Sequence, residues 1–145
     1  MSPPPSVGVR ALYEQTLQER GYTSDAAQLR AIDALERCEN EWADYKARRS
    51  NAVTKLLVRP PIPRGVYMWG GVGRGKSFLM DCFFQAVPLT RKTRLHFHEF
   101  MREVHRELQE LKGTPNPLQE LGARIARRFR LICFDEFHVS DVTDA

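Results

Sequence analysis

No apolar run in this chain approaches the ~20 residues that a membrane-spanning helix needs, which excludes that class of integral membrane protein. The opening stretch, Met1-Ser2-Pro3-Pro4-Pro5-Ser6, lacks the charged start and apolar core of a secretory signal. It also lacks the Arg-rich amphipathic pattern of an organelle transit peptide. Cysteine is scarce: Cys38, Cys82 and Cys133 are odd in number and far apart. That spacing makes no disulfide framework and reads as reduced thiols, in the core or at the surface, of a cytoplasmic protein. There is no internal repeat, and the only biased tract is the N-terminal run of prolines. Charge imbalance is small. A net +4 reads as a solvated surface with a weak pull toward acidic partners or anionic lipid, so peripheral membrane association is the most it allows.

What is present is a globular composition. With 42% hydrophobic and 28% charged residues the chain can bury a core, which excludes a disordered class. A length of 145 residues suits one domain.

The most informative stretch is Gly70-Gly71-Val72-Gly73-Arg74-Gly75-Lys76-Ser77, which fits G-x-x-x-x-G-K-[ST]. Glycines let a backbone turn tightly and bring its N–H groups against phosphate oxygens with no Cβ in the way. In this pattern Lys76 reaches the β- and γ-phosphates of ATP, and the Ser77 hydroxyl ligates Mg2+. A helix starting near Lys76 adds the positive end of its dipole. Such a loop should follow a strand and open a helix. Val66-Tyr67-Met68-Trp69 supplies a short strand-like run, and Ser77 to Phe84 reads as a mostly buried helix ended by Pro88. A glycine-rich turn with a chance lysine would explain the loop but not a second motif that agrees with it.

That second motif is Leu131-Ile132-Cys133-Phe134, an unbroken apolar run expected for a parallel strand buried on both faces, ending in Asp135-Glu136. An acid at the carboxyl end of such a strand lies beside a phosphate loop, where Mg2+ sits. Asp135 is then the metal acid, acting through the metal's water shell, and Glu136 the general base for the attacking water. An apolar strand ending in acids is weak alone. About 60 residues beyond the loop it is strong, because the two motifs then predict one site.

The rest of the chain falls in order around these motifs. Residues 1–8 read as a flexible tail. Val9 to Arg20 reads as a helix with Leu12, Tyr13 and Leu17 on one side and Gly21 as its stop. Ser24 or Asp25 caps a longer helix to about Arg48, with Leu29, Ile32, Leu35 and Trp42 at helical spacing. Gln28 near its start reads as a surface amide in preference to an adenine contact. Arg49 to Arg64, with Pro60, Pro61 and Pro63, reads as a linker in which Leu56-Leu57-Val58 packs locally or forms a short strand. Residues 9–64 are thus a helical arm and proline-rich linker, and 65–145 the nucleotide-binding part. The basic residues in and beside the linker, Arg48, Arg49, Lys55, Arg59 and Arg64, have no interleaved aromatics to stack bases.

Thr93 to Phe97 alternates and reads as a strand with His96 and His98 on one face. Glu99 to Lys112 reads as a helix with the stripe Met101, Val104, Leu108 and Leu111, and Leu118 to Arg128 as another. The histidines, His105 and His138 included, invite a zinc reading. His-Phe-His on a strand reads better as a packed pair, because zinc needs a convergent ligand set.

Three blocks carry a resemblance. Tyr67 to Ser77 with Leu79-Met80-Asp81 and Phe83-Phe84, then His96-Phe97-His98-Glu99-Phe100-Met101 with His105, then Cys133-Phe134-Asp135-Glu136-Phe137 with Asp141, Asp144 and Ala145, resemble the ZapE cell-division ATPases of bacteria and their mitochondrial relatives. The resemblance implies an α/β fold: an AAA+-like P-loop NTPase with a parallel sheet, flanking helices and an N-terminal helical arm. It implies Gly70, Gly71, Val72, Gly73, Arg74, Gly75, Lys76 and Ser77 as Walker A, Asp135 and Glu136 as Walker B, ATP and Mg2+ as ligands, and ATP hydrolysis. In bacteria it implies action on the division-ring protein FtsZ, and it leaves homo-oligomerisation open.

The family continues past the position of Ala145 with a sensor strand and an arginine finger. The sensor strand lies between the P-loop strand and the Walker B strand, so the expectation here is a domain truncated after Walker B, with a gap in its sheet. Such a chain should bind nucleotide poorly and turn it over slowly or not at all. Two other readings stay open: a nucleotide-dependent binding module without turnover, and a helicase-loader-like DNA-associated ATPase. The latter ranks lower because Arg124, Arg127, Arg128 and Arg130 lack stacking aromatics, which makes nucleic acid a disfavoured partner.

Overall fold

The computed structural model describes residues 7–68 and 74–135. The chain divides into two compact units, Met1–Pro88 and Leu89–Ala145.

In the first unit, α1 (Val9–Arg20) and α2 (Ala26–Arg48) follow the sequence reading in type and extent. Gly21 ends α1 at φ 66°, a left-handed conformation that a residue without Cβ adopts at no steric cost. Asp25 caps α2, its carboxylate accepting from the Gln28 N–H at 2.7 Å. Ile32, Leu35, Cys38 and Trp42 recur at helical spacing on α2 and are buried, whereas Leu29 stays 44% exposed and drops out of the stripe. A third long helix, α4 (Arg74–Ala86), packs on both α1 and α2 through Leu79, Cys82, Phe83 and Ala86. Val87 lies just before Pro88, which disfavours the helical region for the residue preceding it, and the helix stops there.

Between α2 and α4 the chain departs from expectation. Leu56-Leu57 form neither a strand nor a packed cluster. They close α3 (Ala52–Leu57), a short helix nucleated by a reciprocal cap in which the Asn51 side chain accepts from the Thr54 N–H at 2.8 Å. None of its residues is buried, and Leu56 and Leu57 are 80% and 78% exposed. Val66-Tyr67-Met68, expected as the strand before the phosphate loop, belongs to no strand; Trp69 lies outside the described residues. The physical reason is pairing: an extended run becomes a strand only when its N–H and C=O groups find a neighbouring ladder. Among the described residues the only sheet is the pair formed in the second unit.

The second unit is a parallel strand pair with its crossover. β1 (Lys92–His96) runs directly into α5 (Phe97–Glu110). A turn at residues 111–116 follows, then α6 (Pro117–Arg128) and β2 (Leu131–Asp135). Parallel neighbours require a connection of this length, since no hairpin can reverse the chain twice. The register pairs Lys92 with Leu131, Arg94 with Cys133 and His96 with Asp135. Side chains alternate across a strand, so those six share one face, while Thr93, Leu95, Ile132 and Phe134 share the other. Helix α5 covers the second face: Phe134 meets Phe97 edge-on at 5.7 Å and Phe100 at 4.8 Å between ring centroids. On β2 only Cys133 is buried, so the strand is less enclosed than its apolar run suggests.

Candidate functional site

The phosphate-loop half of the site rests on α4. Gly75, Lys76 and Ser77 lie in its first turn, where the leading N–H groups have no acceptor within the helix. Those N–H groups and the dipole behind them favour an anion at this end. Lys76 is half-buried and Ser77 exposed. What fixes the turn lies further along: four buried side chains hold the helix on α1 and α2, and the Phe78 ring sits 5.6 Å from Tyr13. The Arg20 guanidinium lies over the same Phe78 ring, 5.7 Å from its centroid. Arg74 opens the same helix. Gly70, Gly71, Val72 and Gly73 lie outside the described residues.

The acid half rests on β2. Asp135 is the last residue of the strand and sits opposite His96. Its carboxylate is held by Arg94 in a two-point fork: Nε donates to Oδ2 at 2.7 Å and a terminal nitrogen donates to Oδ1 at 3.1 Å. Both side chains are largely enclosed, 25% exposed for Arg94 and 18% for Asp135. Glu136, His138, Asp141, Asp144 and Ala145 lie outside the described residues. The two halves belong to different units, Lys76 and Ser77 to the first and Asp135 to the second.

The His-Phe-His-Glu-Phe-Met block is not a strand. His96 ends β1 and occupies the N-cap of α5; Phe97 and His98 are already helical. The two histidines therefore do not share a strand face, and the zinc reading loses the geometry it required. The block has a different job. Phe97 and Phe100 brace Phe134, the residue immediately before Asp135, so this aromatic cluster fixes the end of the acid-bearing strand. Sequence reasoning named these residues as a signature without seeing that role, and it missed Arg94 altogether. The available signal was its position two residues before His96, which places both on one face of β1.

Part of each basic cluster is engaged within the protein. Arg48 pairs with Asp44 at 3.0 Å, and Arg49 donates to the Tyr45 hydroxyl at 2.8 Å and the Lys55 carbonyl at 3.1 Å. Arg124 and Arg127 both face Glu120, at 3.6 and 3.7 Å.

Taken unit by unit, the donors are of kinds that suit phosphate oxygens and Mg2+. Helix N–H groups and an ammonium suit phosphate oxygens, while a hydroxyl and a carboxylate are hard oxygen donors of the kind Mg2+ prefers. A small parallel sheet with its crossover helices in one unit, and in the other a helix whose first turn carries Gly-Lys-Ser, are consistent with the P-loop NTPase-like α/β class. Comparison with known proteins narrows this. The family model for the AFG1-like ATPase matches residues 7–145, and the chain belongs to that family. It is 57% identical over 152 aligned positions to the cell division protein ZapE of Escherichia coli K12, an alignment that covers 97% of this chain and 40% of that protein. It is also 41% identical over 98 positions to lactation elevated protein 1 homolog B of Danio rerio, covering 60% of this chain and 20% of that protein. The chain thus spans less than half the length of these relatives. No solved structure gave a significant match.

Proposed function

We propose that this chain carries the Walker A and Walker B parts of an ATPase that hydrolyses ATP with Mg2+ to remodel a protein partner. The observation that carries the reading is the occurrence in one chain of a Gly75-Lys76-Ser77 helix start and of Asp135 at the carboxyl end of a parallel strand, in a member of the AFG1-like ATPase family. In this reading the backbone of Gly70 to Gly75 cradles the phosphates and Lys76 neutralises the β- and γ-phosphates. Ser77 and Asp135 would hold the metal, which would offset charge developing on the transferred group. Glu136 takes the proton of the attacking water. A division-ring protein, FtsZ, is the partner proposed from the family resemblance, and the relative's name supports a role in cell division. The site of action proposed is the cytoplasm.

Photocrosslinking of labelled ATP tests the assignment. Lys76→Ala should abolish the crosslink, and an equal crosslink in that variant would overturn it. Glu136→Gln should keep the crosslink while phosphate release falls about 10²- to 10⁴-fold, the usual contribution of a general base. If Glu136→Gln retained full action on the partner, ATP would be setting the shape of a docking surface, and turnover would be incidental.

A further inference from the structure

We infer that Arg94 is a resident counter-cation for Asp135, and that a divalent metal reaches the Asp135 carboxylate in competition with it. This rests on the assignment of Asp135 as the metal acid. The geometry is specific. Arg94 lies directly opposite Cys133 and reaches diagonally, two residues along the same sheet face, to Asp135. Its fork engages both carboxylate oxygens, at 2.7 and 3.1 Å. A planar guanidinium matches a carboxylate at two points in a way that a lysine ammonium cannot.

The surroundings sharpen the competition. On that face the described strand residues are Lys92, Arg94, His96, Leu131, Cys133 and Asp135, so Asp135 is the single carboxylate among three basic side chains. Burial pushes the Lys92 ammonium below its usual range. Arg94 stays cationic, since a guanidinium does not deprotonate in proteins. With both partners largely enclosed, their attraction is screened less than that of a surface pair. A dication beside the same carboxylate therefore meets a fixed like charge a few ångströms away. Arg94 is a positioning residue with two effects. It keeps Asp135 aligned without metal, and it raises the metal concentration at which the carboxylate changes partner.

The test is a Mn2+ titration of the full chain without nucleotide, followed by loss of the free-ion electron paramagnetic resonance signal. Arg94→Gln should tighten Mn2+ binding about tenfold, within the usual range of coupling between sites. Arg94→Lys keeps the charge and loses the fork, so it should stay near the native affinity; a merely structural role would make Lys behave like Gln. Unchanged or weaker Mn2+ binding in Arg94→Gln overturns the inference, as does an absence of Mn2+ binding in both forms. Should Arg94→Gln not fold, the Arg94 Nε–H resonance of the native chain decides: it must shift on adding Mg2+, and a fixed resonance refutes the competition. Asp135→Asn in the Arg94→Gln background separates the two levels. If it leaves Mn2+ affinity intact, the metal acid lies elsewhere and the assignment of Asp135 fails. If it abolishes binding while Arg94→Gln alone changes nothing, only the competition fails.

Discussion

Single side chains carry several of the contacts that fix the first unit, and Glu39 is the most exacting. From α2 its carboxylate accepts the Val9 N–H at 2.8 Å, satisfying one of the orphan donors at the start of α1. Burial pushes its carboxyl above the usual range, and the Val9 hydrogen bond only partly offsets this. A raised carboxylate binds its proton more tightly in the folded state. Its contribution to stability is therefore complete below the unfolded pKa and is lost as pH rises through the folded one. Glu41 and Glu103, lowered by hydrogen bonds from Arg37 and Arg106, have the opposite sign and lose their contribution as pH falls. The urea midpoint of the native chain minus that of Glu39→Gln should fall as pH rises just above the ordinary carboxylate range, since glutamine keeps the acceptor and removes the titration. A pH-independent difference would show that Glu39 keeps its ordinary pKa. Gln28 teaches a related lesson. It read as a surface amide, but it is half-buried, and the Tyr13 hydroxyl donates to its Oε1 at 3.0 Å from the neighbouring helix. No spacing rule reveals a contact between two elements. Tyr13→Phe should cost about 1 kcal/mol in chemical denaturation, the typical net worth of one hydrogen bond, because the ring packing stays and one acceptor is orphaned.

Among the elements, α4 links stability to the site. Its buried Leu79, Cys82, Phe83 and Ala86 recur at helical spacing, and that periodicity was readable from the chain alone. Leu79, at 3% exposure, lies one turn beyond Lys76. Leu79→Ala should cost about 2–5 kcal/mol, the range for a leucine removed from a packed core, in a urea titration. A cost below about 1 kcal/mol would show that the helix is not anchored there. The strand-to-helix boundary at His96 and Phe97 was misread for an identifiable reason. Leu95 to His98 alternates, but Phe97 also begins the series Phe97, Met101, Val104, Leu108 and Leu111, which repeats at helical spacing. The longer period wins because Phe97 is buried against Phe134 as the first residue of α5. The run before the phosphate loop failed differently. Its residues have strand propensity, but propensity cannot supply the neighbour that a ladder needs. The Asn51–Thr54 cap was also missed, because a threonine stands where the usual pattern has glutamate or glutamine.

At the scale of the whole molecule, composition and the two motifs were enough to indicate an α/β nucleotide-binding class, whereas the division into two units was not legible. Neither was Arg94, because its role depends on a register that only pairing creates. The whole-molecule prediction follows from linkage. A ligand that binds only the folded chain stabilises it by an amount that grows with the logarithm of its concentration, about 1.4 kcal/mol per decade once above its dissociation constant. For a chain of this size that is about 3–6 °C per decade of Mg2+–ATP. Weak binding delays the onset of the rise but leaves its slope unchanged, so the slope is the cleaner test. A molecule of two compact units need not melt in one step, and the probe has to report the unit that holds Lys76. Both tryptophans, Trp42 and Trp69, fall within residues 1–88, so the fluorescence transition belongs to that unit. Its midpoint should climb with Mg2+–ATP in the native chain and stay flat in Lys76→Ala over the same range. Parallel slopes in the two proteins would show that Lys76 does not hold the phosphates, and the phosphate-loop assignment would go with it.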